Sequence, residues 1–165
     1  MSKTFKNAFA CLLSFVMLFV FTACDNNEAE EKGDFISGNK WTTSDGMLMS
    51  LDSDNTFKWY SNKSNRTDNY YSGDYEIHVG QEAVDYLIEK AGATKEAQLE
   101  AMNNYGVALG DYYILILTNK ECVMGGKNTL EEETEITYCG FYNADYERFT
   151  MTNLLTGGEY IFTKM

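Results

Sequence analysis

The sequence predicts a mainly β domain, an antiparallel up-and-down barrel of about eight strands with a two-helix insertion. Polar and apolar residues alternate between turn signals spaced roughly eight to twelve residues apart, which is typical of antiparallel sandwiches and barrels. The chain contains 12 Tyr, 10 Phe and 2 Trp, and aromatic residues favour strands. It contains no Pro, so Gly, Asn, Asp and Ser must make its turns.

The first half of the domain predicts four strands, with turns at residues 44–46 and 52–55. A polar loop is predicted at residues 61–69, and Gly73 predicts a bulge in the fourth strand. The predicted strands are 40–44, 47–51, 56–60 and 70–79.

The apolar period then changes from two residues to 3.6, which predicts a helical insertion at about residues 81–104. Val84, Leu87 and Ile88 share one face of a first helix, and Gly92 suits its C-terminal end. Thr94 is a candidate N-cap for a second helix.

Strand signals resume at residue 112, and residues 112–118 are the most hydrophobic run, which predicts a central strand. That strand continues or restarts through residues 121–124. Thr156, Gly157 and Gly158 predict a hairpin turn. The remaining predicted strands are 135–142, 147–153 and 159–163.

The N-terminal segment carries the pattern of an export signal, with two lysines ahead of an apolar run at residues 8–21. Small Ala23 directly before Cys24 resembles the lipobox of bacterial lipoproteins, although Phe21 stands where Leu is usual. The resemblance implies that Cys24 takes a diacylglycerol and becomes the first mature residue. The chain would then be held by its acyl anchor at the extracytoplasmic face of the cell membrane.

Two alternatives to this interpretation are an uncleaved membrane anchor and a signal peptide cleaved at Ala23 without lipid attachment. The apolar run is about 14 residues, whereas a membrane-spanning helix needs about 20. The predicted organisation is a signal peptide at 1–23, an acidic flexible tether at 24–33 and one domain at 34–165.

The net charge of the predicted mature chain limits the classes of partner that it can bind. Loss of residues 1–23 removes two lysines and no acidic residue, which changes the formal charge from −12 to −14. That sign argues against nucleic acid, whose phosphates bind Lys and Arg. It also argues against direct adsorption to anionic lipid. Cations, basic peptides and neutral sugars are compatible with this negative charge as partners.

Cys122 and Cys139 are the cysteines that remain in the predicted domain. Both lie in strand-like runs, and a hairpin centred near Leu130 would place them opposite each other. Outside the membrane such a pair could form a disulfide, and the alternative is a pair of buried thiols. Two cysteines and one distant histidine are too few for a structural zinc site.

No set of catalytic residues is recognisable, and we predict neither a metal nor a cofactor. His78 is the one histidine, expected as a solvated residue at a strand end, and no G-x-S-x-G motif is present. Residues 52–56 space oxygen ligands as calcium loops do, but they lack the glycine and distal Glu of such loops. A hairpin turn, which also favours Asp and Asn, is the better explanation of these residues.

Aromatic residues are concentrated in the first half of the domain. The candidates for ligand contact are Trp41, Trp59, Tyr60 and Tyr71, because an outward row of aromatic rings could stack on sugar rings or on a partner. The alternative is that these rings fill the barrel core.

Gly38 to Trp41, Asp54 to Phe57 and Gly73 to Tyr75 resemble the opening of small lipocalin-like barrels, although lipocalins have one residue fewer between the glycine and the tryptophan. Residues 68–73, 75–80 and 122–131 resemble lipoproteins and membrane-tethered domains of clostridia-like Firmicutes. The first resemblance implies the barrel, and the second implies a Gram-positive cell but no activity.

The expected function is therefore that of a membrane-anchored, non-catalytic binding or interaction domain. Its ligand would be a small molecule, a wall glycan or a partner protein. The alternative is a hydrolase that uses carboxylates and acts on cell-wall or exogenous glycan.

Overall fold

The computed structural model describes residues 35–165, which form a closed antiparallel barrel of eight strands with two helices on its outer wall. The strands follow chain order around the barrel, which confirms the predicted fold class. The predicted signal peptide, the tether and Cys24 lie outside the described residues. The elements are β1 Asn39–Thr42, β2 Leu48–Leu51, β3 Thr56–Asn62, β4 Asn65–Val79, α1 Gln81–Ala91, α2 Lys95–Tyr105, β5 Tyr112–Met124, β6 Lys127–Asn128, β7 Thr134–Asn143, β8 Arg148–Asn153 and β9 Glu159–Lys164.

One predicted loop is wrong. Residues 61–69 are not a polar loop, because β3 continues to Asn62 and β4 begins at Asn65, with these two residues paired across a tight turn. The hairpin extends beyond the barrel rim, where both of its faces are exposed. A strand with two exposed faces shows no apolar alternation, and it therefore has the composition of a loop.

The predicted helical insertion is confirmed. The N–H of Gly92, in the left-handed conformation, donates to the Ile88 carbonyl at 3.1 Å and ends α1. The Thr94 hydroxyl accepts from the N–H of Ala97 at 3.2 Å and begins α2. Both helices pack on the outer face of β5. This strand is therefore buried on both faces, which explains its unbroken apolar run.

The N-terminal end of the described chain closes one end of the barrel, called the closed end below. Ile36 is fully buried, and its carbonyl accepts from the Trp41 indole N–H at 3.0 Å. Phe35 stacks on Tyr142 with ring centroids 4.3 Å apart. Tyr113 meets the Phe35 ring edge-on at 6.5 Å. Aromatic packing thus fills this end.

Two glycines allow neighbouring strands to approach closely. The predicted bulge lies at Gly73, where the register shifts because β5 carries one extra residue, Lys120. Gly140 is constrained by a side chain as well as by backbone, since a Cβ there would lie 1.9 Å from the Thr150 carbonyl oxygen and 2.9 Å from the Tyr113 hydroxyl oxygen. The Tyr113 hydroxyl donates to that same carbonyl. Gly140 therefore makes room for a tyrosine that crosses the barrel interior.

We expect Gly140→Ala to lower the free energy of unfolding by about 2–3 kcal/mol, because the added methyl must displace backbone rather than a flexible side chain. Urea denaturation followed by far-UV circular dichroism measures the loss. Gly158→Ala is the matched control, since its Cβ would meet nothing closer than the Thr156 hydroxyl at 3.4 Å. Equal stability of the two variants would contradict this account of Gly140.

Candidate functional site

The end of the barrel opposite Ile36 holds a cavity of about 420 Å³. It is bounded by the C-terminal ends of β3, β5 and β8 and by the N-terminal parts of β4, β7 and β9. Its walls are mainly aromatic and aliphatic. The side chains that define it include Trp59, Tyr71, Leu117, Ile136, Tyr138 and Tyr160.

Strand alternation brings the aromatic residues to a common face. Trp59 pairs with Tyr71 across β3 and β4, so the two side chains point to the same side of the sheet. The Trp59 ring meets Tyr160 edge-on at 4.9 Å and Tyr138 at 6.1 Å. Edge-to-face packing of this kind is favourable. These contacts join β3, β7 and β9 across the interior and form one wall of the cavity.

Two of the four aromatic residues selected from sequence reach the cavity, and their contact with a ligand stays a prediction. They are Trp59 and Tyr71. Trp41 is fully buried in the closed end, so its assignment as a ligand contact is wrong. Tyr60 lies on the outer face of β3 beside Tyr70, with ring centroids 5.8 Å apart, and is not a cavity residue. Alternation alone could not tell which end of the barrel was open.

Three asparagines add polar groups to the apolar walls: Asn69, Asn119 and Asn153. Asn119 is the most deeply placed, with 3% of its surface exposed. It occupies the inward position after Leu115 and Leu117 in the most hydrophobic strand. Sequence reasoning missed this residue, although a polar side chain that continues an inward apolar row was a usable signal.

Cys122 and Cys139 lie on neighbouring strands but cannot bond within the chain. Cys139 pairs with Ile114, eight residues before Cys122 on β5. At about 3.3 Å per residue the two cysteines are therefore about 26 Å apart, whereas a disulfide needs Cα atoms within about 7 Å. Both thiols are free. Of the two possibilities that the sequence left open, the structure excludes the disulfide within one chain.

The two thiols have different surroundings. Burial raises the pKa of Cys139, which lies beneath the helices, to about 12. Cys122 is half-buried and pairs with Tyr71 across β4 and β5. Burial raises the pKa of Tyr71, and the neighbouring Cys122 adds to the shift. Burial also raises the pKa of Tyr138 to about 12. Tyr71 and Tyr138 are therefore neutral at physiological pH.

His78 lies on the outer face of β4, away from the cavity. Its ring stacks on Tyr86 of α1 with centroids 5.0 Å apart. Its Nε2 lies 3.0 Å from Glu76 Oε1. The side chain is 22% exposed, so the expectation of a solvated ring is wrong. These contacts pack His78 between the outer face of β4 and α1.

The acidic turn at residues 52–56 joins β2 to β3. Asp54 Oδ1 accepts from the Thr56 hydroxyl at 2.6 Å and from its N–H at 3.2 Å. Asn55 takes the left-handed conformation that such a turn needs. Within residues 35–165, no three His, Cys, Asp or Glu side chains come together as a metal site.

Comparisons with known proteins yield no relative: no protein-family model, no curated protein and no solved structure matches the chain. No helix within residues 35–165 combines the length and the apolar character needed to cross a membrane. The cavity and its lining therefore carry the functional argument.

We expect iodoacetamide at pH 8 to alkylate Cys122 in the folded chain without prior reduction, and to leave Cys139 unmodified. Burial shields the Cys139 thiol and keeps it protonated, and alkylation requires an accessible thiolate. Peptide mass mapping distinguishes the two sites, and alkylation in urea is the control in which both react. Protection of Cys122 that is relieved by a reductant would contradict the free-thiol assignment.

Proposed function

We propose that the chain is a lipid-anchored protein of the extracytoplasmic membrane face, whose barrel binds a small uncharged ligand in its open end. The cavity is the observation that carries the proposal. Its volume of about 420 Å³ falls in the range of small-molecule sites, which are mostly apolar with a few placed polar groups. Aromatic walls with three amide side chains match that description.

The electrostatics of the lining support an uncharged ligand. None of the side chains that line the cavity is acidic or basic. A charged group on a ligand would lose its hydration in the cavity without gaining an opposite charge from the protein, which is strongly unfavourable. The same lining offers no pair of carboxylates, so no observation within the described residues favours the alternative of a carboxylate hydrolase.

The position of the proposed anchor supports uptake from the aqueous side. Cys24 precedes Phe35 by eleven residues, and Phe35 lies in the closed end. The chain would therefore leave the barrel on the side away from the cavity. That exit keeps the anchor segment away from the cavity mouth and is compatible with uptake from the aqueous side.

The binding proposal can be tested with N-phenyl-1-naphthylamine, a neutral aromatic probe, and the full chain labelled with 5-fluorotryptophan in lipid nanodiscs. The chain has two tryptophans, of which Trp59 lines the cavity and Trp41 lies in the closed end. We expect the fluorine signal of Trp59 to shift saturably while that of Trp41 stays unchanged. No shift of Trp59, or equal shifts of both signals, would refute binding in the cavity.

A charge at the rim should weaken that binding. Met124 lines the cavity and is 43% exposed, so Met124→Arg places a guanidinium at the entrance without disturbing the core. We expect the apparent Kd of the probe to rise about five-fold or more, because the apolar rim is lost and the charge must stay hydrated. Ile161→Arg is the matched control, since Ile161 is 39% exposed and does not line the cavity. Equal effects of the two variants would argue against entry at this end.

The anchor is tested separately by Cys24→Ser. In a bacterial host that processes lipoproteins, the wild-type chain should incorporate a clickable fatty acid and fractionate with membranes. The variant should take no label, because serine lacks the thiol that accepts the lipid. Absence of label on the wild-type chain would refute lipidation and leave the cavity argument untouched.

A further inference from the structure

The side-chain amide of Asn119 makes hydrogen bonds to the protein through its nitrogen atom, Nδ2. Its Nδ2 donates to Thr134 Oγ1 at 3.1 Å, and the Thr134 carbonyl oxygen lies 3.4 Å away. A backbone carbonyl can only accept a hydrogen bond. The nitrogen of the amide must therefore face Thr134, and Oδ1 is the atom directed away from it.

The other two asparagines of the cavity use their Oδ1 atoms in turns. Asn69 Oδ1 accepts from the N–H of Gly125 at 3.1 Å. Asn153 Oδ1 accepts from the N–H groups of Leu155 and Thr156 at 2.8 and 2.9 Å. These two amides are committed to the fold, because they hold the loops at the rim.

Asn119 Oδ1 differs from both, since it accepts no hydrogen bond from the residues that the structure describes. Asn119 is 3% exposed and lines the cavity. It pairs with Gly73 on one side and with Thr134 on the other, so the bulge at Gly73 places no side chain beside it from β4. Buried acceptors are normally satisfied. The free oxygen at the inner part of an apolar cavity is therefore a candidate ligand contact.

Resting on the binding function proposed above, we infer that the ligand is a neutral aromatic ring system that carries an O–H or N–H group, and that this group donates to Asn119 Oδ1. The ring packs against Leu117, Ile136 and the wall formed by Trp59. The other two cavity amides already accept from backbone N–H groups, so Asn119 Oδ1 is the one of the three with both lone pairs available. Asn119 thus selects ligands by their donor, and the surrounding walls select them by shape and apolarity.

The test uses 2-naphthol and 2-methoxynaphthalene, which share a ring but differ in the hydroxyl donor. Both are titrated into the full chain in nanodiscs and followed by the Trp59 fluorine signal, with partition into empty nanodiscs subtracted. We expect 2-naphthol to bind about five- to ten-fold more tightly, as one additional hydrogen bond allows. Hydrophobicity alone predicts the opposite order, because the methyl ether is the more apolar molecule.

Asn119→Leu should reduce the ratio of the two affinities to within about two-fold, because leucine keeps the approximate volume and removes the acceptor. Ser61→Ala is the control, since it removes a polar group at the rim whose hydroxyl donates to the Asn69 carbonyl, and it should keep the full ratio. The comparison of ligands on the wild-type chain remains decisive if Asn119→Leu does not fold.

The outcomes separate this inference from the proposed function. Saturable binding of both naphthalenes with equal affinity would overturn the role of Asn119 and keep the cavity as a binding site. Tighter binding of benzyltrimethylammonium than of 2-naphthol would overturn the choice of a neutral donor in favour of a cation held by aromatic rings. No response of Trp59 to any of these probes would overturn both proposals.

Discussion

The ladder between β4 and β5 is the constraint on which the rest of the barrel depends. It runs from the Asn69–Met124 pair to the Val79–Tyr113 pair and joins two strands separated in sequence by both helices. Long-range antiparallel pairing of this length fixes which face of each strand points inward, because a shift of one residue would invert every side chain. The interior position of Tyr113 and the outer position of the helices both follow from this register.

The cavity also follows from that ladder. The extra residue Lys120 on β5 inverts the facing of the strand beyond the bulge. Before it Leu117 and Asn119 point inward, and after it Met124 reaches the same cavity. A local irregularity thus lets a single strand supply both the inner wall and the rim.

Much of the fold was predictable from local signals, because the apolar period, the turns and the helix caps are properties of neighbouring residues.

The turn between β5 and β7 was predicted at the wrong position in the sequence. Gly125 and Gly126 both adopt positive φ, at 58° and 74°, and make the tight turn themselves, whereas the centre was predicted near Leu130. Two consecutive glycines are a strong turn signal, but the centre was placed in the middle of the polar stretch 125–133 that begins with them. The error of about four residues moved Cys139 opposite Cys122.

The candidate site was less predictable than the fold. Trp59 and Tyr71 could be selected because aromatic alternation in β3 and β4 is local. Tyr138 and Tyr160 reach the same wall only through pairings across the barrel, and one sequence does not reveal such a register. Asn119 carried a sequence signal, as a polar residue in an inward apolar row, but its free acceptor became evident only once the hydrogen-bond partners of all three cavity amides were known.

The location of Phe35 and Ile36 in the closed end has a mechanical consequence. β1 begins at this end and runs toward the cavity, where it turns into β2. A pull between the N-terminal side of Phe35 and a ligand held in the mouth would therefore act roughly parallel to β1. Its hydrogen bonds to β2 and β9 would be loaded together, in shear, and would not open one after another. Under the proposed anchor, unravelling by such a pull would require several of these hydrogen bonds to break at once.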